Sequence, residues 1–160
     1  MAKAIPEGYH TITPYLVVRG GADAIAFYTR AFGAKEKERM NGPDGHSVMH
    51  AELTIGDSVF MLSDEMPQAG STSPTTLKGT ASSLFLYVPD VDAAFKRATE
   101  AGCRVVKPLA DMFWGDRFGE VEDPFGHRWA MATHKEDISP EEMKRRGAAF
   151  MAEMAKAHKK

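Results

Sequence analysis

L-V-V-R-G-G-A-D-A-I-A-F-Y-T-R-A-F-G (16–33) is the stretch that decides the fold, because it ends a strand and continues directly into a helix. Residues 11–18 alternate in polarity, which is typical of a half-buried strand. Gly33 ends the helix as a left-handed C-cap. The buried face of the helix is predicted to consist of Ala22, Ile25, Tyr28 and Phe32.

Three strand-like runs follow this helix, at residues 36–41, 47–55 and 58–63. Gly56-Asp57 separates the last two runs and predicts a tight hairpin turn. The order of one strand, one helix and three strands predicts a βαβββ module over about residues 11–64.

The same order returns after a linker at about residues 65–80, which is rich in Pro, Gly, Ser and Thr. The second copy contains L-Y-V-P-D-V-D-A-A-F-K-R-A-T-E-A-G (86–102), with Asp90 as the helix N-cap and Gly102 as its stop. Strand residues of the two copies are 70 positions apart, and the helix-ending glycines are 69 apart. The repeat predicts a second βαβββ module over about residues 81–134.

A C-terminal helix is predicted over about residues 139–157. Its first residues, S-P-E-E (139–142), form a capping box with proline at the first helical position. Met143, Phe150 and Met154 then fall on one apolar face. This face fits packing on its own chain or a clasp between two copies, and the sequence leaves both open.

Composition and charge exclude several classes of partner. The 20 basic and 22 acidic residues are interspersed, so no basic face predicts binding to nucleic acid or to an anionic membrane. No apolar run approaches the roughly 20 residues that span a bilayer, and no signal peptide is visible at the N-terminus. The one cysteine, Cys103, cannot form an internal disulfide. We expect a single domain over residues 1–160, cytoplasmic, with a small-molecule ligand.

Three strings carry a family resemblance: A-I-A-F-Y-T-R-A-F-G-A (24–34), V-M-H-A-E-L-T-I-G-D-S-V-F-M-L-S-D-E (48–65) and F-W-G-D-R-F-G-E-V-E-D-P-F-G-H-R-W (113–129). Together they resemble the PhnB-like branch of the vicinal oxygen chelate (glyoxalase/bleomycin resistance/dioxygenase) superfamily, over about residues 12–134. The resemblance implies an α+β fold in which two βαβββ modules form an eight-stranded, partly closed cup, here with a C-terminal helix added. It also implies a homodimer.

The resemblance further implies where a metal would be bound in metal-using relatives. The four ligand positions fall on Thr13, Met61, Ser83 and Ala130. None of these is a His, Glu, Gln or Asp, and a divalent ion needs at least three good nitrogen or oxygen ligands. We therefore predict no metal and no other cofactor.

Strand alternation predicts which side chains of the first module face the cup, because residues two apart on a strand share a face. A two-residue turn at Gly56-Asp57 places Glu52 opposite Met61. His50 then lies on the same inward face as Glu52.

The same counting in the second module turns Arg117, Gly119 and Val121 inward, and Trp114 lies in the loop at the mouth. The result is an apolar, aromatic pocket with a few polar groups, as expected of a small-ligand site. The predicted ligand-binding residues are Thr13, Tyr15, His50, Glu52, Met61, Ser63, Ser83, Phe85, Tyr87, Trp114, Arg117 and Ala130.

The leading hypothesis is a metal-free protein that binds a small organic molecule in an aromatic cup. Burying a guanidinium in an apolar cup costs free energy unless an anionic group pairs with it. Arg117 is therefore expected to meet a negative group of the ligand, in competition with Glu52, which predicts a preference for anionic ligands.

Two alternatives stay open. The first is a lyase or isomerase that uses His50 and Glu52 as proton-transfer groups or as ligands of an atypical metal site. No third group in the sequence orients these two side chains, and they could instead satisfy each other. The second alternative is a non-catalytic interaction module.

Overall fold

The computed structural model describes residues 2–157 and has the predicted α+β fold with two βαβββ modules. The first module contains β1 (Tyr15–Val18), α1 (Gly21–Phe32), β2 (Lys35–Asn41), β3 (Val48–Ile55) and β4 (Ser58–Asp64). A connecting segment contains a 3₁₀ turn (Pro67–Ala69) and the short helix α2 (Pro74–Leu77). The second module contains β5 (Ser83–Tyr87), α3 (Val91–Ala101), β6 (Arg104–Asp111), β7 (Asp116–Glu122) and β8 (Arg128–His134). The predicted C-terminal helix is α4 (Pro140–Ala157).

Each module forms one four-stranded mixed sheet, and the two sheets have the same topology. Their strand orders are β1-β4-β3-β2 and β5-β8-β7-β6. β1 and β4 are parallel, as are β5 and β8, and the other neighbours are antiparallel. The part of the chain that the structure describes contains no closed barrel.

The helices begin and end where their capping residues lie. Asp64 Oδ1 accepts hydrogen bonds from the backbone N–H groups of Gly20 and Gly21, both at 2.8 Å, at the start of α1. Gly33 has a φ of 69°, so it is the left-handed C-cap that the sequence predicts. Asp90 caps α3 by accepting from Ala93 N–H at 3.0 Å.

Both modules contribute to one hydrophobic core, in which α1 and α3 pack against each other. Trp129 on β8 stacks on Phe32 of α1 with ring centroids 4.4 Å apart, and it meets Phe60 of β4 edge-on at 6.0 Å. Trp129, Met131, Phe60 and Leu62 are all buried on the helix-facing sides of the sheets. Because both sheets turn their helix-facing sides to this core, their other sides point away from each other. We call these other sides the first and second outer faces.

A buried carboxyl group, that of Asp123, joins the two modules inside this core. Asp123 Oδ2 accepts from the Tyr28 hydroxyl and from Trp129 Nε1, both at 2.8 Å. Its Oδ1 accepts from the backbone N–H groups of Phe125 and His127, at 2.8 and 2.9 Å, which stabilises the Asp-Pro-Phe-Gly turn (123–126). Burial, together with Asp123, raises the pKa of Tyr28.

The C-terminal helix α4 contacts the second module through the Phe150 ring. Ser139 Oγ accepts from Glu142 N–H at 3.2 Å, which is one half of the predicted capping box. The Phe150 ring lies 5.1 Å from Phe113, yet no described residue of α4 is buried. No helix in residues 2–157 is long and apolar enough to cross a membrane.

Candidate functional site

The first outer face carries a polar cluster at the positions that sequence reasoning selected. Glu52 pairs with Met61 across β3 and β4, which is the predicted register. The Tyr15 hydroxyl lies 3.1 Å from His50 Nδ1, and His50 Nε2 lies 3.6 Å from Glu52 Oε1. Tyr15, His50 and Glu52 therefore lie side by side on one face.

A residue from the N-terminal segment completes this cluster. The Tyr9 hydroxyl donates a hydrogen bond to Glu52 Oε2. Lys37 Nζ lies 4.4 Å from the centre of the Tyr9 ring and 3.7 Å from Glu52 Oε2. The hydrogen bond from Tyr9 lowers the pKa of Glu52 most, and the hydrogen bond from His50 and the charge of Lys37 lower it further. Burial raises this pKa, but the other effects outweigh it.

The N-terminal segment also lines an open cavity of about 550 Å³ on the first outer face. Ile5, Pro6, Tyr9 and Thr13 line it from this segment, and Met61 lines it from β4. Sequence reasoning missed Tyr9, because the segment before β1 has no periodic pattern that would reveal its contact with β3.

The second outer face is an aromatic platform, which we define as Phe85, Tyr87, Trp114 and Phe118. The Phe85 ring lies 5.0 Å from Tyr87 and stacks on Phe118 at 5.7 Å, while Trp114 meets Phe118 edge-on at 5.8 Å. Phe85 is 47% exposed and Tyr87 is 66% exposed. Two large aromatic rings are thus presented to solvent on this side of the sheet.

Asp116 holds one end of the aromatic platform. Its Oδ2 accepts from the Tyr87 hydroxyl at 3.0 Å and from Trp114 Nε1 at 3.1 Å. Its Oδ1 lies 2.8 Å from His134 Nδ1, and His134 Nε2 lies 2.9 Å from Asp137. Asp116 and then Asp137 raise the pKa of His134, and Asp116 also raises that of Tyr87.

Glu120 lies at the other end of the platform, directly opposite Ala130. Its carboxylate pairs with Lys107 at 2.7 Å and with Arg128 at 3.4 Å. Burial opposes ionisation of Glu120, but Lys107 and Arg128 outweigh it and lower the pKa. Lys107 also lies 5.8 Å from the Phe118 ring, so each outer face carries a Lys–Glu pair beside an aromatic ring.

Arg117 is not on an outer face, and the prediction that it faces the cup is wrong. Its guanidinium binds Asp92 on α3 through two bonds of 2.8 Å and Asp111 at 3.2 Å. Gly119 and Val121 also face the helix side: a Cβ on Gly119 would lie 2.6 Å from Phe95, and Val121 is fully buried in the core.

The error arises from the length of one turn. Five residues, 123–127, separate the paired Glu122 and Arg128, where two separate Ile55 from Ser58 in the first module. The longer turn shifts the parity of β7 by one residue, and a shift of one residue exchanges the two faces of a strand. Asp116, Phe118 and Glu120 therefore occupy the second outer face.

The remaining predicted residues divide between the two outer faces and do not meet in one chain. Thr13 and Met61 lie at the cavity of the first face, and Ser63 is buried beside them on β4. Ser83 is exposed at the start of β5, and Ala130 is buried beneath Phe85 on β8. No three His, Cys, Asp or Glu side chains within residues 2–157 are grouped so as to hold a metal ion. The absence of a metal stays a prediction.

Two βαβββ modules around a shared helical core, each with an open outer face, define the class of paired-βαβββ proteins. Residues 9–131 match the profile of the Glyoxalase/Bleomycin resistance protein/Dioxygenase superfamily, and the chain belongs to this family.

The chain is similar to proteins from bacteria and from a plant. The uncharacterized protein Rv0887c of Mycobacterium tuberculosis is 45% identical over 135 residues, covering 82% of this chain and 79% of the relative. The crystal structure of TioX from Micromonospora sp. ML1 has a TM-score of 0.64 at 29% identity, covering 78% of this chain and 98% of that one. The X-ray structure of the Arabidopsis thaliana At5g48480 product has a TM-score of 0.62 at 29% identity, with the same coverage.

Proposed function

We propose that this protein binds a small, ring-containing organic molecule without a metal, in a cup that two copies of the chain form together. The observation that carries the proposal is the aromatic platform, on which Phe85 and Tyr87 are 47% and 66% exposed. Adjacent exposed aromatic rings mark an interaction site, because a soluble chain gains by covering them.

The polar groups around the platform support a ligand site over a plain packing surface. The Tyr87 hydroxyl and Trp114 Nε1 share one acceptor, Asp116 Oδ2, at the edge of the platform. An apolar surface with a few fixed polar groups is the usual composition of a small-molecule site.

A second copy is required because the outer faces of one chain point away from each other. A twofold partner can place its first outer face, with Tyr15, His50 and Glu52, over the platform of this chain and receive the reciprocal contact. Such a homodimer holds two equivalent cups. We further propose that the chain is one cytoplasmic domain of the PhnB-like branch.

Three acridines that share one ring system but differ in charge test the proposal: 9-aminoacridine (cationic), acridine (neutral) and acridine-9-carboxylate (anionic). We expect saturable binding of at least one by fluorescence titration at pH 7.5, and a loss of about tenfold in affinity in Phe85→Ala. The control is Leu77→Ala, an exposed apolar side chain on α2 that is 66% exposed. Binding that Phe85→Ala leaves unchanged would contradict the proposed site.

A lyase or isomerase activity is the second candidate, and one observation favours it. Tyr9 orients Glu52 and Tyr15 contacts His50, so the structure supplies orienting groups for the two proposed proton-transfer residues. Incubation of a metabolite extract with the wild type and with His50→Gln tests this candidate. A compound consumed by the wild type alone supports catalysis, and identical extracts contradict it.

A further inference from the structure

One buried carboxyl group, that of Asp116, binds two aromatic rings at one end of the aromatic platform. Asp116 is only 4% exposed, and a single oxygen, Oδ2, accepts from both the Tyr87 hydroxyl and Trp114 Nε1. The other oxygen is occupied by His134 at 2.8 Å. Both oxygens of Asp116 thus have partners within the protein, and its burial keeps the carboxylate out of direct contact with a ligand.

Tyr87 depends on its hydrogen bond to Asp116 for a fixed orientation, because neighbouring side chains do not enclose its ring as they would in the core. Its side chain is 66% exposed, and exposed side chains exchange rotamers on the picosecond to nanosecond timescale when nothing holds them. A ring that must be ordered when the ligand binds reduces the affinity, whereas a ring already held in place does not.

We propose that Asp116 is a positioning residue, which holds Tyr87 and Trp114 in the orientation on which a ring ligand stacks and does not touch the ligand itself. This inference rests on the proposed function of the platform. Because Asp116 acts through neutral rings, its removal weakens cationic, neutral and anionic ring ligands by the same factor. A direct charge contact would instead weaken the cationic ligand most.

The test combines the three acridines with an NMR signal that needs no ligand. The chain has two tryptophans, so its spectrum contains two indole N–H resonances, and Trp114→Phe assigns one of them. In Asp116→Ala we expect the Trp114 resonance to move and the affinity for each bound acridine to fall by about tenfold. Asp116→Asn keeps one oxygen for Tyr87 and Trp114, so its affinities should stay within about threefold of the wild type. Asp111→Ala, an exposed residue on the neighbouring strand, should change neither measurement.

The outcomes separate this inference from the proposed function. A shifted indole resonance with equal losses for all bound probes supports positioning. Unchanged affinities in Asp116→Ala, or a loss confined to 9-aminoacridine, would overturn it. If the wild type binds no acridine, the proposed function fails for these probes. The Trp114 indole resonance is then the remaining test of the positioning role. A shift of this resonance in Asp116→Ala supports the role, and an unshifted resonance overturns it.

Discussion

Replacing Asp123 with alanine should cause a large loss of stability, because this side chain accepts four hydrogen bonds in the core between the modules. Two of the donors belong to Tyr28 and Trp129, which are 0% exposed, so water cannot take the place of the carboxyl group. A buried donor without an acceptor costs about 1 to 3 kcal/mol. We therefore expect Asp123→Ala to lower the free energy of unfolding by about 3 to 5 kcal/mol.

Urea denaturation followed by circular dichroism measures this loss, and thermal melting should show a decrease of roughly 10 °C. The control is Glu153→Ala, which removes an exposed ion pair on α4 and should change stability by less than about 0.5 kcal/mol.

A second substitution tests the cause of the loss. Tyr28→Phe should cost about 1 kcal/mol in the wild type, where its hydroxyl is bonded. In the Asp123→Ala background it should instead restore about 1 kcal/mol, because it removes a donor that has lost its acceptor. A loss below about 1 kcal/mol in Asp123→Ala, or the same sign for Tyr28→Phe in both backgrounds, would refute the reasoning.

Three further predictions concern single residues. Arg117→Ala should leave the relative affinities for anionic and cationic acridines unchanged, because its guanidinium is bound to Asp92; a selective loss of the anionic probe by titration would contradict this placement. Asp116 and Asp137 raise the pKa of His134, so this side chain should stabilise the fold fully below about pH 6.5 and progressively less as the pH rises through the raised pKa. In His134→Asn, the free energy of unfolding measured across pH should lack this decrease. The same pH dependence in the variant and the wild type would contradict the prediction. Burial, with a smaller contribution from Asp123, raises the pKa of Cys103 to about 12, so the native thiol should resist a disulfide reagent at pH 8, and rapid labelling would contradict its burial.

The fold could be predicted from the sequence because the order of strands and helix, the spacing of apolar residues in the helix and the helix-ending glycine all occur twice. The first outer face could be predicted for a related reason: the two-residue turn at Gly56-Asp57 fixes the register, which pairs Glu52 with Met61. Side-chain direction then follows from alternation along the strand.

The second outer face could not be predicted, because its register depends on the packing of Asp123 in a longer turn. Hydrogen bonds from Phe125 and His127 to this side chain determine how the chain enters β8. Counting outward from Ala130 with the correct turn length would have found Glu120 on the outer face. The Tyr9 contact with Glu52 joins residues that are 43 positions apart and leaves no periodic signal in the sequence.

The most direct test of the shared cup mixes two variants that are each defective in one outer face. Tyr15→Ala damages the first face and Phe85→Ala the second, and both residues are about half exposed, so folding should be preserved. If each cup joins the first face of one copy to the second face of its partner, each variant alone has no intact cup. A mixed dimer then has one intact cup and one doubly damaged cup. After an equal mixture is allowed to exchange subunits, about one quarter of the wild-type acridine sites should return at wild-type affinity. No recovery, in a mixture shown by native mass spectrometry to contain mixed dimers, would contradict a cup formed by two copies.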